Sequence, residues 1–73
     1  MTYNIYRKHE IYQESSRFNA FKKMTVLSLI RENVPPLKTQ RIMRRCESRG
    51  WDVVAIPTGK ARQLYGTKKY IEI

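Results

Sequence analysis

Lys38, Arg41, Arg44 and Arg45 place four cations within eight consecutive positions, and no acid occurs between Asn33 and Cys46. A second acid-free stretch, from Asp52 to Glu72, carries Lys60, Arg62, Lys68 and Lys69. The chemistry open to such residues is anion recognition: guanidinium groups fork onto carboxylates and phosphates, and ammonium groups act as point charges. Over the 73 residues, 15 Lys and Arg stand against 6 Asp and Glu, a formal charge of +9. One-signed charge opposes compaction through self-repulsion, so this excess points to a negative partner. A nucleic acid, an acidic protein surface and an anionic membrane all qualify. Arg44, Arg45 and Arg49 also have a plain structural use, because cations near a helix C-terminus gain about 0.3–1 kcal/mol each from its dipole. Eight cations on two acid-free segments exceed what capping requires.

Other chemistries find few residues. General acid–base catalysis needs positioned groups that titrate near working pH, and the one histidine, His9, lies among the first residues. The lone Cys46 shares a helical face with Ile42 and Met43, which predicts a buried, inert thiol. It excludes an internal disulfide, and one His with one Cys cannot close a structural zinc site. Thr58-Gly59-Lys60 lacks the glycine run and the Lys-Ser/Thr ending of a phosphate-binding loop. A non-enzyme without metal or cofactor is expected.

Aromatics lie among the charges, as base stacking on single strands requires. Tyr3, Tyr6, Tyr12, Tyr65 and Tyr70 are the candidates. Trp51, Phe18 and Phe21 are assigned to the core instead.

The elements that must hold these residues follow from pattern. Residues 1–14 mix aromatic and charged types without a period and read as a mobile arm, with room for a short strand at Tyr3 to Arg7. Ser15 and Ser16 suit an N-cap. Phe18, Phe21, Met24, Leu27 and Ile30 recur every third residue, which predicts an amphipathic helix from about Arg17 to Glu32. Val34-Pro35-Pro36 ends it. A second helix is expected from about Lys38 to Arg49, closed by Gly50. Trp51 to Ile56 reads as a buried strand and Thr67 to Ile73 as its hairpin partner, with a projecting loop over 58–66. Tyr65 in that loop is assigned a binding role. The expected fold is a small single α+β domain over residues 15–73: two helices arranged like a helix-turn-helix, then a two-stranded antiparallel hairpin. No segment approaches the ~20 apolar residues of a spanning helix, and no signal-peptide core follows Met1. A soluble monomer in a reducing compartment is expected.

That element order resembles the winged helix-turn-helix. The resemblance implies that Lys38, Arg41, Arg44 and Arg45 lie on a recognition helix in the major groove, with Lys60, Arg62 and Lys68 on a phosphate-touching wing. A repressor or excisionase type of DNA binder is one reading, and a general single-strand or RNA binder is another.

The whole chain also resembles the small, basic regulators of host RNA polymerase encoded by lytic bacteriophages, in particular the antitermination and initiation-blocking type of lytic Xanthomonas phages. The resemblance rests on length, basicity, the single cysteine, the segment Tyr3-Asn4-Ile5-Tyr6-Arg7-Lys8, and the order of elements up to Lys68-Lys69-Tyr70-Ile71-Glu72-Ile73. It implies a protein of the infected cell's cytoplasm that binds polymerase near the N-terminus of the largest subunit and the flap by the RNA exit channel. There it displaces sigma and lets elongation pass terminators, with nascent RNA or DNA within reach. On the charge pattern, the partner-binding residues are Lys38, Arg41, Arg44 and Arg45 on the second helix and Lys60, Arg62, Lys68 and Lys69 around the loop. Tyr65 joins them, and Tyr3, Tyr6, Arg7 and Lys8 of the arm order on contact and supply aromatic anchors.

Overall fold

From Met24 to Ile30 the chain is largely apolar at both odd and even positions. In the computed structural model this run is a strand, not a helix. The structure describes the backbone of residues 1–15 and 20–73 and the side chains of 1–12 and 22–73. In chain order the elements are β1 (Tyr3–Ser15), β2 (Ala20–Val34), α1 (Pro36–Ser48), β3 (Asp52–Pro57), α2 (Thr58–Tyr65) and β4 (Tyr70–Glu72). The sheet order is β3-β1-β2-β4, with every neighbouring pair antiparallel.

The expected two helices followed by a hairpin are therefore corrected to four antiparallel strands with two helices, still α+β. The helix expected over 17–32 fails for a physical reason. Leu27 and Leu29 serve one face of β2 while Met24 and Val26 serve the other, and a strand apolar on both faces shows no alternation to set against a helical period. The expected caps at Ser15 and Ser16 and the core roles of Phe18 and Phe21 fall outside what is described. The mobile arm is also corrected. β1 is a central strand, bonded to β2 along its length and to β3 from Tyr3 to Lys8. Beyond Lys8 and Thr25 the hairpin runs on as a two-stranded ribbon, and the molecule is 47 Å long. The final strand pairs with β2, at Val26 to Ser28, rather than with β3.

The helix expected over 38–49 is α1, beginning at Pro36, which suits a first helical position because its missing N–H has no partner there. Gly50 follows with φ 79° and donates to the Glu47 carbonyl, while the Trp51 N–H donates to that of Cys46. Glycine is favoured there because a side chain would be strained at that φ. The expected loop over 58–66 is instead the short helix α2, closed by Gly66 at φ 62°.

Strand alternation divides the packing. Tyr6, Leu27 and Ile71 share one face and pack with Ala61 of α2, flanked by Leu29, Val54, Ile56 and Tyr65. Ile5, Val26 and Val53 are buried on the opposite face, and α1, which lies against β3 and β1, provides its helical cover. Burying each such aliphatic side chain is worth about 1.5–3 kcal/mol. Cys46 is buried on α1, as its apolar face predicts.

Two register shifts interrupt the hairpin between Tyr3 and Tyr6, where β2 carries the extra residues. Asn33, with φ 55°, lies in this bulged stretch. Its N–H donates to Asn4 Oδ1 at 3.1 Å. Bulges of this kind bend a strand and re-aim its side chains. Here Arg31 comes opposite Ile5, on the face that α1 covers.

Candidate anion-binding surfaces

Spacing along α1 brings Lys38, Arg41 and Arg45 to one helix edge, since residues three and four apart are surface neighbours. With Arg31 of β2 and the half-buried Ile42 they line a groove of about 180 Å³. All four cations are exposed. None is ion-paired: among the described residues the one salt bridge is Lys23 to Glu10, at 3.0 Å on the projecting ribbon. The hydrogen bond that Lys23 donates to the Glu10 carboxylate and the negative charge of Glu10, aided by Tyr12, raise the Lys23 pKa above its ordinary value of 10.5. Arg44 is exposed on α1 but lies outside the groove lining.

Across the sheet, Arg62 of α2 joins Lys68 and Lys69 around a pocket of about 280 Å³, with Asn4, Tyr6, Leu29 and the acid Glu32 also in its wall. Lys60 is exposed on the same helix. The eight cations expected to act together are thus divided between α1, on one face of the sheet, and α2 with the link that follows it to β4, on the other.

The aromatic assignments change more. Tyr6 is 2% exposed and belongs to the core, so its expected role as a surface anchor is corrected. Its place on a central strand facing α2 is the reason. Tyr65 meets it edge-on, with ring centroids 5.8 Å apart at 69°. Tyr65 is half-buried packing on α2 rather than the tip of a loop. Tyr3 is half-buried between Val34 and Pro57. Lys8 is exposed opposite Asp52, where β3 begins.

Arg7 is half-buried, with its Cζ 4.3 Å from the Trp51 ring centroid, and that of Arg49 lies 5.7 Å away. Trp51, expected in the core, is half-buried beneath these two guanidinium groups. His9 hydrogen-bonds Ser28 Oγ at 2.7 Å.

Sequence reasoning missed Arg31, which carried no signal while it was counted as part of a helix. It also missed Asn4, whose carboxamide ties three elements together. Besides Asn33, Thr58 Oγ1 donates to its Oδ1 at 3.0 Å, and its Nδ2 donates to Tyr6 OH at 3.4 Å. Among the described residues no three His, Cys, Asp or Glu side chains are placed to hold a metal ion, and no helix is long and apolar enough to cross a membrane.

Comparisons of the chain with family models, with curated proteins and with solved structures give no match.

Proposed function

We propose that the chain is a non-enzymatic transcription regulator that docks on host bacterial RNA polymerase through the α1 groove. The observation that carries this reading is the convergence of Arg31, Lys38, Arg41 and Arg45, exposed and without a carboxylate partner among the described residues. Like charges three and four residues apart on a helix cost a few tenths of a kcal/mol per pair. Holding them together is explained by a partner that supplies the missing anions. Such a cluster raises association rates toward an acidic surface, and Ile42 in the groove adds a contact that salt does not screen.

The choice of polymerase rests on what is left of the resemblance to small phage regulators, namely length, basicity, the single cysteine and the Tyr3–Lys8 segment, because the order of elements differs from the expected one. That likeness implies a site near the N-terminus of the largest subunit and the flap, where the bound protein displaces sigma and hinders terminator hairpins. The winged-helix alternative loses its basis, because the element that precedes α1 is a strand and no helix-turn-helix forms.

The test is a tagged pulldown from nuclease-treated bacterial lysate, washed at moderately high salt. Stoichiometric core polymerase depleted in sigma is the expected result. Absence of polymerase, with binding that disappears on nuclease treatment, overturns the reading.

A further inference from the structure

We infer that the pocket beside α2 binds a small phosphate monoester. Its wall lies on a single face of the sheet. Tyr6 is directly opposite Leu29, both pack toward α2, and Asn4 and Glu32 border them on the same side. Arg62 reaches the pocket from α2, and Lys68 and Lys69 reach it from the link that follows. That link is fixed by backbone hydrogen bonds. The Lys68 N–H donates to the Tyr65 carbonyl at 3.3 Å, and the Leu29 N–H donates to the Lys69 carbonyl at 2.8 Å.

Among the described residues none of these three cations forms an ion pair, not even with Glu32 in the same wall. The floor of the pocket adds buried donors. Tyr6 is 2% exposed and Asn4 6%. The Tyr6 hydroxyl accepts a hydrogen bond from Asn4 Nδ2 at 3.4 Å. Its own O–H has no acceptor among the described residues, and neither has the second hydrogen of that amide. Buried polar groups are rarely left unused, so these donors call for an acceptor from outside the chain.

Charge selects the occupant. Three cations against one carboxylate leave the wall a formal +2. A phosphate monoester carries about −1.5 to −2 at neutral pH and three strong acceptor oxygens, which suit a guanidinium fork, two ammonium groups and a hydroxyl. A phosphodiester or a carboxylate brings a single charge and fewer free oxygens. The pocket, at about 280 Å³, lies just below the ~300 Å³ low end of small-molecule sites, so the ligand is small. Arg31 and Glu32 are consecutive on β2, but one lines the α1 groove and the other this pocket, on opposite faces of the strand. The inference therefore stands apart from the polymerase reading, and its test contains no polymerase.

The test is isothermal titration calorimetry of the full chain with uridine 5′-monophosphate in about 0.1 M salt. Uridine, which lacks the phosphate, and uridylyl-uridine, whose phosphate is a diester, are the comparisons. The monoester should bind at least about tenfold more tightly than either, the effect of one charged hydrogen bond or more, and inorganic phosphate should compete with it. Arg62→Gln and Lys69→Gln should each weaken binding about tenfold. Tyr6→Phe keeps the ring in the core and should weaken it about threefold, as for a neutral hydrogen bond. A purely structural hydroxyl would lower the urea midpoint and leave the affinity of the folded variant unchanged. Arg44→Gln removes the same charge on the other face and should alter affinity by less than about twofold, since salt screens distant charges. A short 5′-phosphorylated oligouridine separates the two sources of a monoester: tighter binding than the mononucleotide assigns the end of an RNA, and equal or weaker binding a free small molecule. Absence of binding by the mononucleotide, equal binding of uridine or of the diester, or unchanged affinity in the Arg62→Gln/Lys69→Gln double variant would each overturn the inference.

Discussion

The Arg7 guanidinium lies over the Trp51 indole, with Cζ 4.3 Å from the ring centroid. Arg7 is in a central strand, opposite both Ser28 and Val53. A charge at such a place needs compensation, and no carboxylate supplies it among the described residues. The electron-rich ring face does so instead, an interaction of about 0.5–2 kcal/mol according to how far the pair is desolvated. Arg49 approaches the same ring at 5.7 Å, so the turn Arg49-Gly50-Trp51 closes α1 and also delivers the ring to the sheet.

A double-mutant cycle separates this contact from simple burial. Arg7→Met and Trp51→Leu each keep an apolar stem while removing one partner of the cation–π pair. Urea unfolding of the two single variants and the double variant should give a coupling energy of about 0.5–2 kcal/mol. A coupling near zero would mean that the indole only covers the strand.

Asn4 is the second point where β1 is fastened. It is 6% exposed, and its carboxamide joins the bulged end of β2, the start of α2 and the Tyr6 hydroxyl. Asn4→Ala leaves a backbone N–H and two hydroxyls short of a partner. The expected loss is about 2–3 kcal/mol, read as a lower urea midpoint with an unchanged slope. A loss below about 0.5 kcal/mol, the low end for one hydrogen bond, would show that water replaces the carboxamide without penalty.

These two contacts show why half of the architecture was legible from sequence and half was not. α1 announced itself through a narrow apolar edge and Gly50, both local signals. β3 did so through its run of Val53, Val54, Ala55 and Ile56. The nature of β1 was hidden because its polar residues are satisfied by distant parts of the chain: Asn4 by Asn33 and Thr58, Arg7 by Trp51, and His9 by Ser28. Read alone, such a segment looks unstructured. β2 was hidden by the opposite condition, apolar side chains on both faces. α2 did carry a signal in the four-residue spacing of Ala61 and Tyr65, masked by Gly59 near its start. The cationic cluster was legible as composition, whereas its division between two faces of a sheet depends on the crossover of α1 and could not be read locally.

The pair Lys23–Glu10 gives a pH dependence with a defined sign. The folded pKa of Lys23 is raised, so its contribution to stability is complete below the ordinary lysine value of 10.5 and disappears as pH rises through the raised value. Both side chains are largely solvent-exposed, and salt should screen the effect. The difference in thermal midpoint between the unaltered protein and Glu10→Gln should stay constant from neutral pH to about 10, then shrink at higher pH. A difference that grows above that pH would contradict the assignment.

Charge reversal on α1 should move stability and binding in opposite directions. Arg41→Glu places an acid three residues after Lys38, three before Arg44 and four before Arg45, converting three repulsive pairs into attractive ones. Helix pairs of this kind contribute about 0.2–0.5 kcal/mol each, so the variant should unfold at slightly higher urea than the unaltered protein. The same change removes a cation from the α1 groove and puts a like charge before an acidic partner. The association rate with core polymerase should therefore fall by about tenfold or more at low salt, with a smaller effect at high salt. Arg44→Glu serves as the control. It changes net charge equally but lies outside the groove lining, and should slow association less. A folded Arg41→Glu variant that captures polymerase at the unaltered rate would remove the α1 groove as the docking surface. Equal losses for the two variants would reduce the effect to overall charge.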